Sequence, residues 1–297
     1  MHTGSAVRAF LDGVRGEIAA TTSRRYETAL MAFVSFLGDP PLESVRPADI
    51  RAFRSDRLNR GISPHTVNSD LRALRRLWGW LVREGLVESN VPRQVPFVKT
   101  PRELPKAVAS DDLVRLVQHL PNESARDRAL ILFLIDTGCR IGGALGLTLD
   151  TLHLAQRRAV VTEKGSRSRV VYFTETTAEA LAEWLLRRGK DPCPLVFLSA
   201  KGGGLTVGGA HQMIERVGER AGLVGRCNPH AFRHAFARAF LTNGGNLATL
   251  GQLMGHAPGS TITAQYYAVW DGDELADLHA RYSPLSSLMN GGQSRRG

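Results

Sequence analysis

The sequence predicts a mostly α-helical protein of two domains with one small β-sheet. Three observations carry that expectation. From about Ser5 to Glu88 apolar residues recur at helical spacing. Residues 91–106, VPRQVPFVKTPRELPK, hold four prolines and read as an extended linker. Beyond them, helical patterns are interrupted by one stretch of alternating, β-branched residues. A chain of 297 residues, 43% of them hydrophobic, is long enough to build two cores. The boundaries expected are a helical domain over 1–90, a linker over 91–106, a mixed domain over 107–290 and a disordered tail over 291–297.

In the first domain, SRRYETALMAFVSFLG places Tyr26, Leu30, Phe33 and Leu37 on one helix face. Gly38 and the Pro40-Pro41 pair stop that helix. RPADIRAFRSDRLNRG opens at Pro47 and closes near Gly61. SPHTVNSDLRALRRLWGWLVREG follows, with Ser63 as cap and Pro64 at the first helical position. Its Val67, Leu71, Leu74, Trp78 and Leu81 form a buried stripe. Arg72, Arg75, Arg76 and Arg83 lie off the stripe, as a solvated basic face or a phosphate-contacting one.

The second domain opens with SDDLVRLVQHL, capped by Ser110 or Asp111, and ARDRALILFLIDTG. RRAVVTEKGSRSRVVYFT then reads as a β-hairpin around a Lys-Gly-Ser turn. Helices are expected at 177–188, 206–221, 230–243, 246–254 and 261–268.

Net charge is +10, from 38 Lys and Arg against 28 Asp and Glu, which favours a polyanionic partner. Thirty-three of the basic residues are Arg, whose planar fork suits bidentate phosphate contacts. Cys139, Cys193 and Cys227 are too far apart to make a CxxC or zinc pattern. No apolar run approaches the roughly 20 residues of a membrane helix. The N-terminus lacks the charged and apolar regions of a signal peptide. A cytoplasmic protein with no membrane partner is the expectation.

The segment NPHAFRHAFARAF, 228–240, interleaves His230, Arg233, His234 and Arg238 with core-type residues. Other candidates are individually unremarkable. Arg140 follows a Thr-Gly-Cys turn, where an Arg is commonly a surface or capping residue. Lys164 sits in a hairpin tip, His256 follows Leu-Met-Gly, and Tyr266 and Tyr267 could be core aromatics. In order, however, the chain presents TGCRIGGALGL (137–147), Lys164, HAFRH (230–234), LMGH (253–256) and TAQYY (263–267).

That ordered set resembles the tyrosine recombinase/integrase family of DNA strand-exchange enzymes, and the resemblance covers nearly the whole chain. It implies an N-terminal all-helical, SAM-like core-binding domain and a C-terminal mixed α/β catalytic domain. Arg140 and Arg233 would clamp the non-bridging oxygens of one phosphodiester and neutralise charge growing in the transition state. Tyr266 would attack phosphorus and form a 3′-phosphotyrosyl bond. A phenol of pKa near 10 is only about 0.1% ionised at pH 7, so it needs a cationic pocket and a proton acceptor, which the resemblance assigns to His230. Lys164 would protonate the leaving 5′ oxygen, and His256 would hydrogen-bond the phosphate or the attacking oxygen. Ala231, Phe232, Ala235 and Phe236 would bury the helix, while His234 and Arg238 would have supporting roles. The resemblance calls for no metal or cofactor, because five cationic or hydrogen-bonding groups take the place of a metal, and for no ATP, because the covalent intermediate conserves the bond energy. Its partners would be double-stranded DNA at a specific site and further copies of the chain, up to a tetrameric synapse around a Holliday junction.

Two departures from the family pattern stand out. The position three after the first Arg is often acidic and helps fix that Arg; here it is Gly143, so another group must do so or the site is looser. The gap from His256 to the tyrosine is slightly long, and two tyrosines are adjacent; the Thr263 spacing favours Tyr266 over Tyr267. With little sequence before the core-binding pattern, the chain looks like a minimal phage or mobile-element integrase or a Xer-like resolvase. The stretch DELADLHARYSPLSSLM (273–289) could be an exchange helix or pack on its own domain. A type IB topoisomerase-like relaxing enzyme and a DNA-binding relative without catalysis are the alternative readings.

Overall fold

The computed structural model of the protein describes residues 1–100, 108–163, 167–223, 227–255 and 279. The chain divides into two compact units, Met1–Glu103 and Leu104–Gly297.

The first unit contains helices α1 (Thr3–Gly13), α2 (Ala20–Leu37), α3 (Pro47–Asn59) and α4 (Pro64–Arg83). The expected stripe of α4 is its core. Val67, Leu71, Leu74, Trp78 and Leu81 are each at most 1% exposed. Phe33 of α2 packs edge-on against Phe53 at 5.2 Å and Trp78 at 5.9 Å, a geometry favoured by the ring quadrupoles. Ser63 Oγ accepts the Thr66 N–H at 3.2 Å and Pro64 opens α4. Gly38 ends α2 in the left-handed region, with φ of 76°.

Residues 91–98, read from the sequence as linker, are instead packed onto this unit. Val91–Gln94 form a single 3-10 turn, and Val95 is fully buried in the core. Asn68 exchanges two hydrogen bonds with the Val98 backbone, at 2.9 and 2.8 Å. Arg75 donates to the carbonyls of Pro92 and Val95 at 3.3 and 2.7 Å, and Arg54 to that of Pro96 at 3.0 Å. A proline-rich strip cannot satisfy its own carbonyls with a backbone ladder. Here side chains from α3 and α4 do so, which is why composition alone reads it as linker. Residues 101–106 of the expected linker, and the terminal tail, lie outside the described residues.

The second unit contains α5 (Ser110–His119), α6 (Ala125–Thr137), the short α7 (Ile141–Leu145), strands β1 (Leu152–His153), β2 (Arg158–Glu163) and β3 (Arg167–Tyr172), then α8 (Glu175–Arg188), α9 (Val207–Arg220), α10 (Pro229–Thr242) and α11 (Leu247–Leu253). The strands form an antiparallel sheet in the order β1-β2-β3, with Val161 opposite Arg169 and Ala159 opposite Val171. Neither Ser110 nor Asp111 caps α5. Its cap position is Ala109 and makes no side-chain bond, while Asp111 and Asp112 stand in the first turn, where a carboxylate complements the helix dipole without capping. The N-terminus of α8 is captured from outside instead. Asp136 of α6 accepts from the Thr174 N–H at 2.6 Å, the Thr174 hydroxyl at 2.8 Å and the Thr177 hydroxyl at 2.7 Å. The central core gathers α6, the sheet, α8, α9 and the first half of α10, with Leu130, Ile131, Phe133, Val161, Leu181, Ile214 and Phe232 all fully buried. The Lys-Gly-Ser turn and the helix expected at 261–268 lie outside the described residues.

Candidate active site

The site is assembled from the end of α6, the end of β2, the middle of β3 and one face of α10. The α6 end is a fixed turn. The Thr137 hydroxyl donates back to the Phe133 carbonyl at 2.6 Å and accepts the Cys139 N–H at 3.3 Å. Gly138 adopts φ of 57°, and a Cβ there would stand 2.5 Å from Phe236 of α10. Only glycine satisfies both the left-handed backbone and that approach. Two residues on, Arg140 occupies the N-cap position of α7 in extended conformation, leaving its own backbone N–H to point out of the helix.

α10 is fixed at its start. Pro229 occupies the first position and Asn228 Oδ1 accepts the Ala231 N–H at 2.9 Å. Ala231, Phe232 and Ala235 are buried as expected, and Phe236 is partly buried, ring-stacked with Phe240. On the other face, Arg233 has a side chain only 5% exposed. Its Nη1 donates to the Gly138 carbonyl and its Nη2 to the Met254 carbonyl, both at 2.7 Å.

Glu163, the last residue of β2, joins these parts. Ala159 and Val161 are buried, and strand alternation carries the same inward direction on to Glu163, whose side chain is 6% exposed. Its carboxylate accepts the Arg140 backbone N–H at 3.1 Å and pairs with the Arg140 guanidinium. It accepts from Arg169 Nη2 at 3.1 Å and lies 3.9 Å from Arg233 Nη1. Burial alone would raise its pKa, but the Arg140 N–H and the charges of Arg169, Arg140 and Arg233 outweigh it and hold the carboxyl below its ordinary range. Arg169 also donates to the Leu253 carbonyl, so Arg169 and Arg233 between them hold the last carbonyls of α11.

His230 stands one turn before Arg233. Burial, followed by the electrostatic influence of Arg233, His211 and Arg140, pushes its pKa below the usual imidazole value. His234 is pushed down to about 4 by burial, His230 and Arg233. The Cys139 thiol is raised to about 11, chiefly by complete burial.

Of the site residues expected from sequence, Arg140, His230 and Arg233 thus come together. Lys164, His256, Tyr266 and Tyr267 lie outside the described residues. The residues that precede two of them in the chain meet at Arg169: Glu163, before Lys164, and Gly255, before His256, where a Cβ on Gly255 would stand 2.7 Å from Arg169 Cδ. Sequence reading missed Glu163 and Arg169. Both could have been found from strand register, because Glu163 continues the inward face of β2 and Arg169 is paired directly opposite the buried Val161.

The four arginines of α4 do not share one environment. Arg75 is committed to its own unit by its two carbonyl bonds, and its guanidinium lies 3.8 Å from the Phe97 ring. Arg72 lies 5.2 Å from the same ring but is exposed, Arg76 is exposed and 3.7 Å from Glu17, and Arg83 is exposed near the helix end. Among the described residues no three His, Cys, Asp or Glu side chains are grouped to hold a metal ion, and no helix is long and apolar enough to cross a membrane.

Residues 106–272 match the profile of the phage integrase family, and residues 7–85 match the N-terminal SAM-like domain of phage integrases. The chain is 32% identical over 278 residues to the tyrosine recombinase XerC of Thermodesulfovibrio yellowstonii, covering 89% of this chain and 91% of that one. It is 30% identical over 297 residues to the tyrosine recombinase XerD of Mycobacterium leprae, covering 91% and 93%. Its fold is similar to that of a lambda integrase tetramer bound to a Holliday junction, with a TM-score of 0.75 and 16% identity over 91% of this chain and 80% of that one. With a helical unit leading into a unit that brings Arg140, His230 and Arg233 together, and with these matches along most of its length, the chain belongs to the phage integrase family and is a tyrosine recombinase.

Proposed function

We propose that the protein cuts and rejoins DNA at a specific site through a 3′-phosphotyrosyl intermediate. The observation that carries this reading is the convergence of Arg140 and Arg233 on the buried Glu163, with His230 close enough to both arginines to feel their charge. Arg140, whose side chain is 40% exposed, is the reachable half of a phosphate clamp, and Arg233 is the buried half. Together they neutralise charge on the non-bridging oxygens as the phosphorus becomes pentacoordinate. His230, held neutral at pH 7 by burial and its cationic neighbours, is suited to take the proton of the attacking phenol. Tyr266 is the nucleophile, Lys164 gives a proton to the leaving 5′ oxygen, and His256 supports the phosphate. The phosphotyrosyl bond conserves the energy of the phosphodiester, so a second strand's 5′ hydroxyl can displace the tyrosine without ATP.

The partner is double-stranded DNA, in keeping with the net charge of +10. Exposed Arg72, Arg76 and Arg83 of α4 are phosphate contacts of the first unit. Two dimers on inverted half-sites assemble into a tetramer around a Holliday junction, a reading supported by the fold shared with a lambda integrase tetramer bound to such a junction. The reaction takes place in the cytoplasm.

Covalent trapping tests this reading. The protein, Tyr266→Phe and Tyr267→Phe are each incubated with nicked suicide substrates from the attachment region of its host or element, in EDTA and without ATP. An SDS-resistant protein–DNA adduct that disappears only in Tyr266→Phe is expected. An adduct lost only in Tyr267→Phe moves the nucleophile by one residue. Specific binding without any adduct refutes strand cleavage.

A further inference from the structure

Three arginines from three segments, Arg140 after α6, Arg169 on β3 and Arg233 on α10, converge on one carboxylate. It stands among their like charges, and Arg169 and Arg233, only 13% and 5% exposed, both lie within ion-pair distance of it. The carboxylate also takes the Arg140 backbone N–H, so it fixes both the main chain and the side chain of that residue. One negative charge among three positive ones leaves the cluster cationic, and Arg140, its side chain 40% exposed, is the most accessible of the three to a phosphate.

The position of Gly143 explains how Glu163 comes to be there. Gly143 lies in α7, and a Cβ on it would stand 3.4 Å from Glu163 Cγ and 3.4 Å from Val161 Cβ. A methyl group fits at that distance, but a longer side chain would need the volume that the Glu163 methylenes fill. A carboxylate at 143 and one at 163 therefore compete for the same space and the same cations. We propose that Glu163 is the positioning residue for the phosphate-binding arginines, supplied by the hairpin strand next to Lys164 and accommodated by Gly143. This rests on the strand-cleavage reading given above. It gives the hairpin a second duty: the strand that runs in sequence into Lys164 also sets the arginine that meets the phosphate.

The test is a relocation of the carboxylate. Adduct formation at saturating DNA and specific-site affinity are measured for the full chain, Glu163→Gln, Glu163→Asp, Gly143→Glu, the double variant Gly143→Glu/Glu163→Gly and the control Gly143→Ala/Glu163→Gly. Thermal melting of each variant monitors folding. Glu163→Gln is expected to slow adduct formation about 10²-fold, the scale of an ångström-sized misplacement, while affinity stays within about threefold. Gly143→Glu alone is expected to be slow because two carboxylates crowd one cavity. The relocation variant is expected to recover to within about tenfold of the unaltered chain, and the alanine control to stay slow. A merely structural Glu163 would not separate affinity from rate, nor be rescued from a different chain segment. Glu163→Gln cleaving at the unaltered rate overturns the proposal, as does a relocation variant no faster than its alanine control. If Glu163→Gln does not fold, Glu163→Asp and the relocation pair decide the question. An unaltered chain that forms no adduct instead brings down the cleavage reading and this proposal with it.

Discussion

Arg233 Nη1 lies 2.7 Å from the Gly138 carbonyl, tying α10 to the turn that presents Arg140. The two arginines proposed as the phosphate clamp are thus linked through backbone, and the spacing between them depends on the conformation of one glycine.

Gly138→Ala tests that link. The substitution puts a side chain at φ of 57° and a Cβ 2.5 Å from Phe236. Backbone strain of about 1 kcal/mol or more and overpacking of about 1–3 kcal/mol add, so destabilisation of about 2–4 kcal/mol is expected in denaturant titration. Adding Phe236→Ala relieves the overlap but leaves a cavity and the backbone strain. A double-mutant cycle should therefore show favourable coupling of about 1 kcal/mol or more. Full additivity would mean that the two groups do not meet.

The arginines of α4 should separate into two classes. Arg75→Ala removes two hydrogen bonds to the 91–98 strip and its stacking on Phe97. It should destabilise the protein by about 1–3 kcal/mol, seen as a lower denaturant midpoint. Arg72→Ala, Arg76→Ala and Arg83→Ala should leave stability within about 0.5 kcal/mol, as expected for exposed substitutions. Each that contacts a phosphate should reduce the slope of log affinity against log salt by about 0.9. An unchanged salt slope in all three would remove this face from the DNA interface.

These examples show how far the sequence could be read. The stripe of α4, the Ser63 and Pro64 signals and the Gly38 stop were legible because helix periodicity and end chemistry are local. The family motifs likewise brought out Arg140, His230 and Arg233, which do come together. Residues 91–98 were not legible, because their carbonyls are satisfied by Asn68, Arg75 and Arg54, distant in sequence. The Ser110 or Asp111 cap failed because first-turn acids and capping residues look alike in sequence. Glu163 escaped notice because a charged residue beside a hairpin turn is ordinarily solvated. Only the inward register of β2 and the missing side chain at Gly143 distinguish it, and the second of these is a fact about space.

Asp136 gives a test of tertiary capping. It supplies the acceptor that the α8 N-terminus lacks locally, since Thr174 makes no side-chain cap bond of its own. Asp136→Ala leaves the Thr174 N–H and two hydroxyls without their acceptor and should cost about 1–3 kcal/mol by denaturant titration. Asp136→Asn keeps an acceptor but loses the charge that complements the helix dipole, and should cost about 1 kcal/mol or less. Equal costs for both would show that charge, rather than hydrogen bonding, holds α8.

The two histidines of α10 fix the expected pH response. Both have depressed pKa values in the folded state, that of His234 about 4, against about 6.5 in an unfolded chain. Between those values the unfolded state binds more protons, so stability rises with pH there. Their contribution is fully present above about pH 6.5 and is lost as pH falls toward the folded values. Imidazole resonances followed by NMR should show His234 neutral down to about pH 4. Replacing it with a residue that does not titrate should flatten the loss of stability between about pH 6.5 and 4. The same sign applies to chemistry. If neutral His230 accepts the tyrosine proton, the single-turnover rate of adduct formation should hold as pH drops below about 6.5 and fall only near its lowered pKa. In His230→Ala that acidic limb should disappear from a much slower reaction. An imidazole that titrates at or above about 6.5 in the folded protein would contradict the burial of His230 and the influence of Arg233 and Arg140 on it.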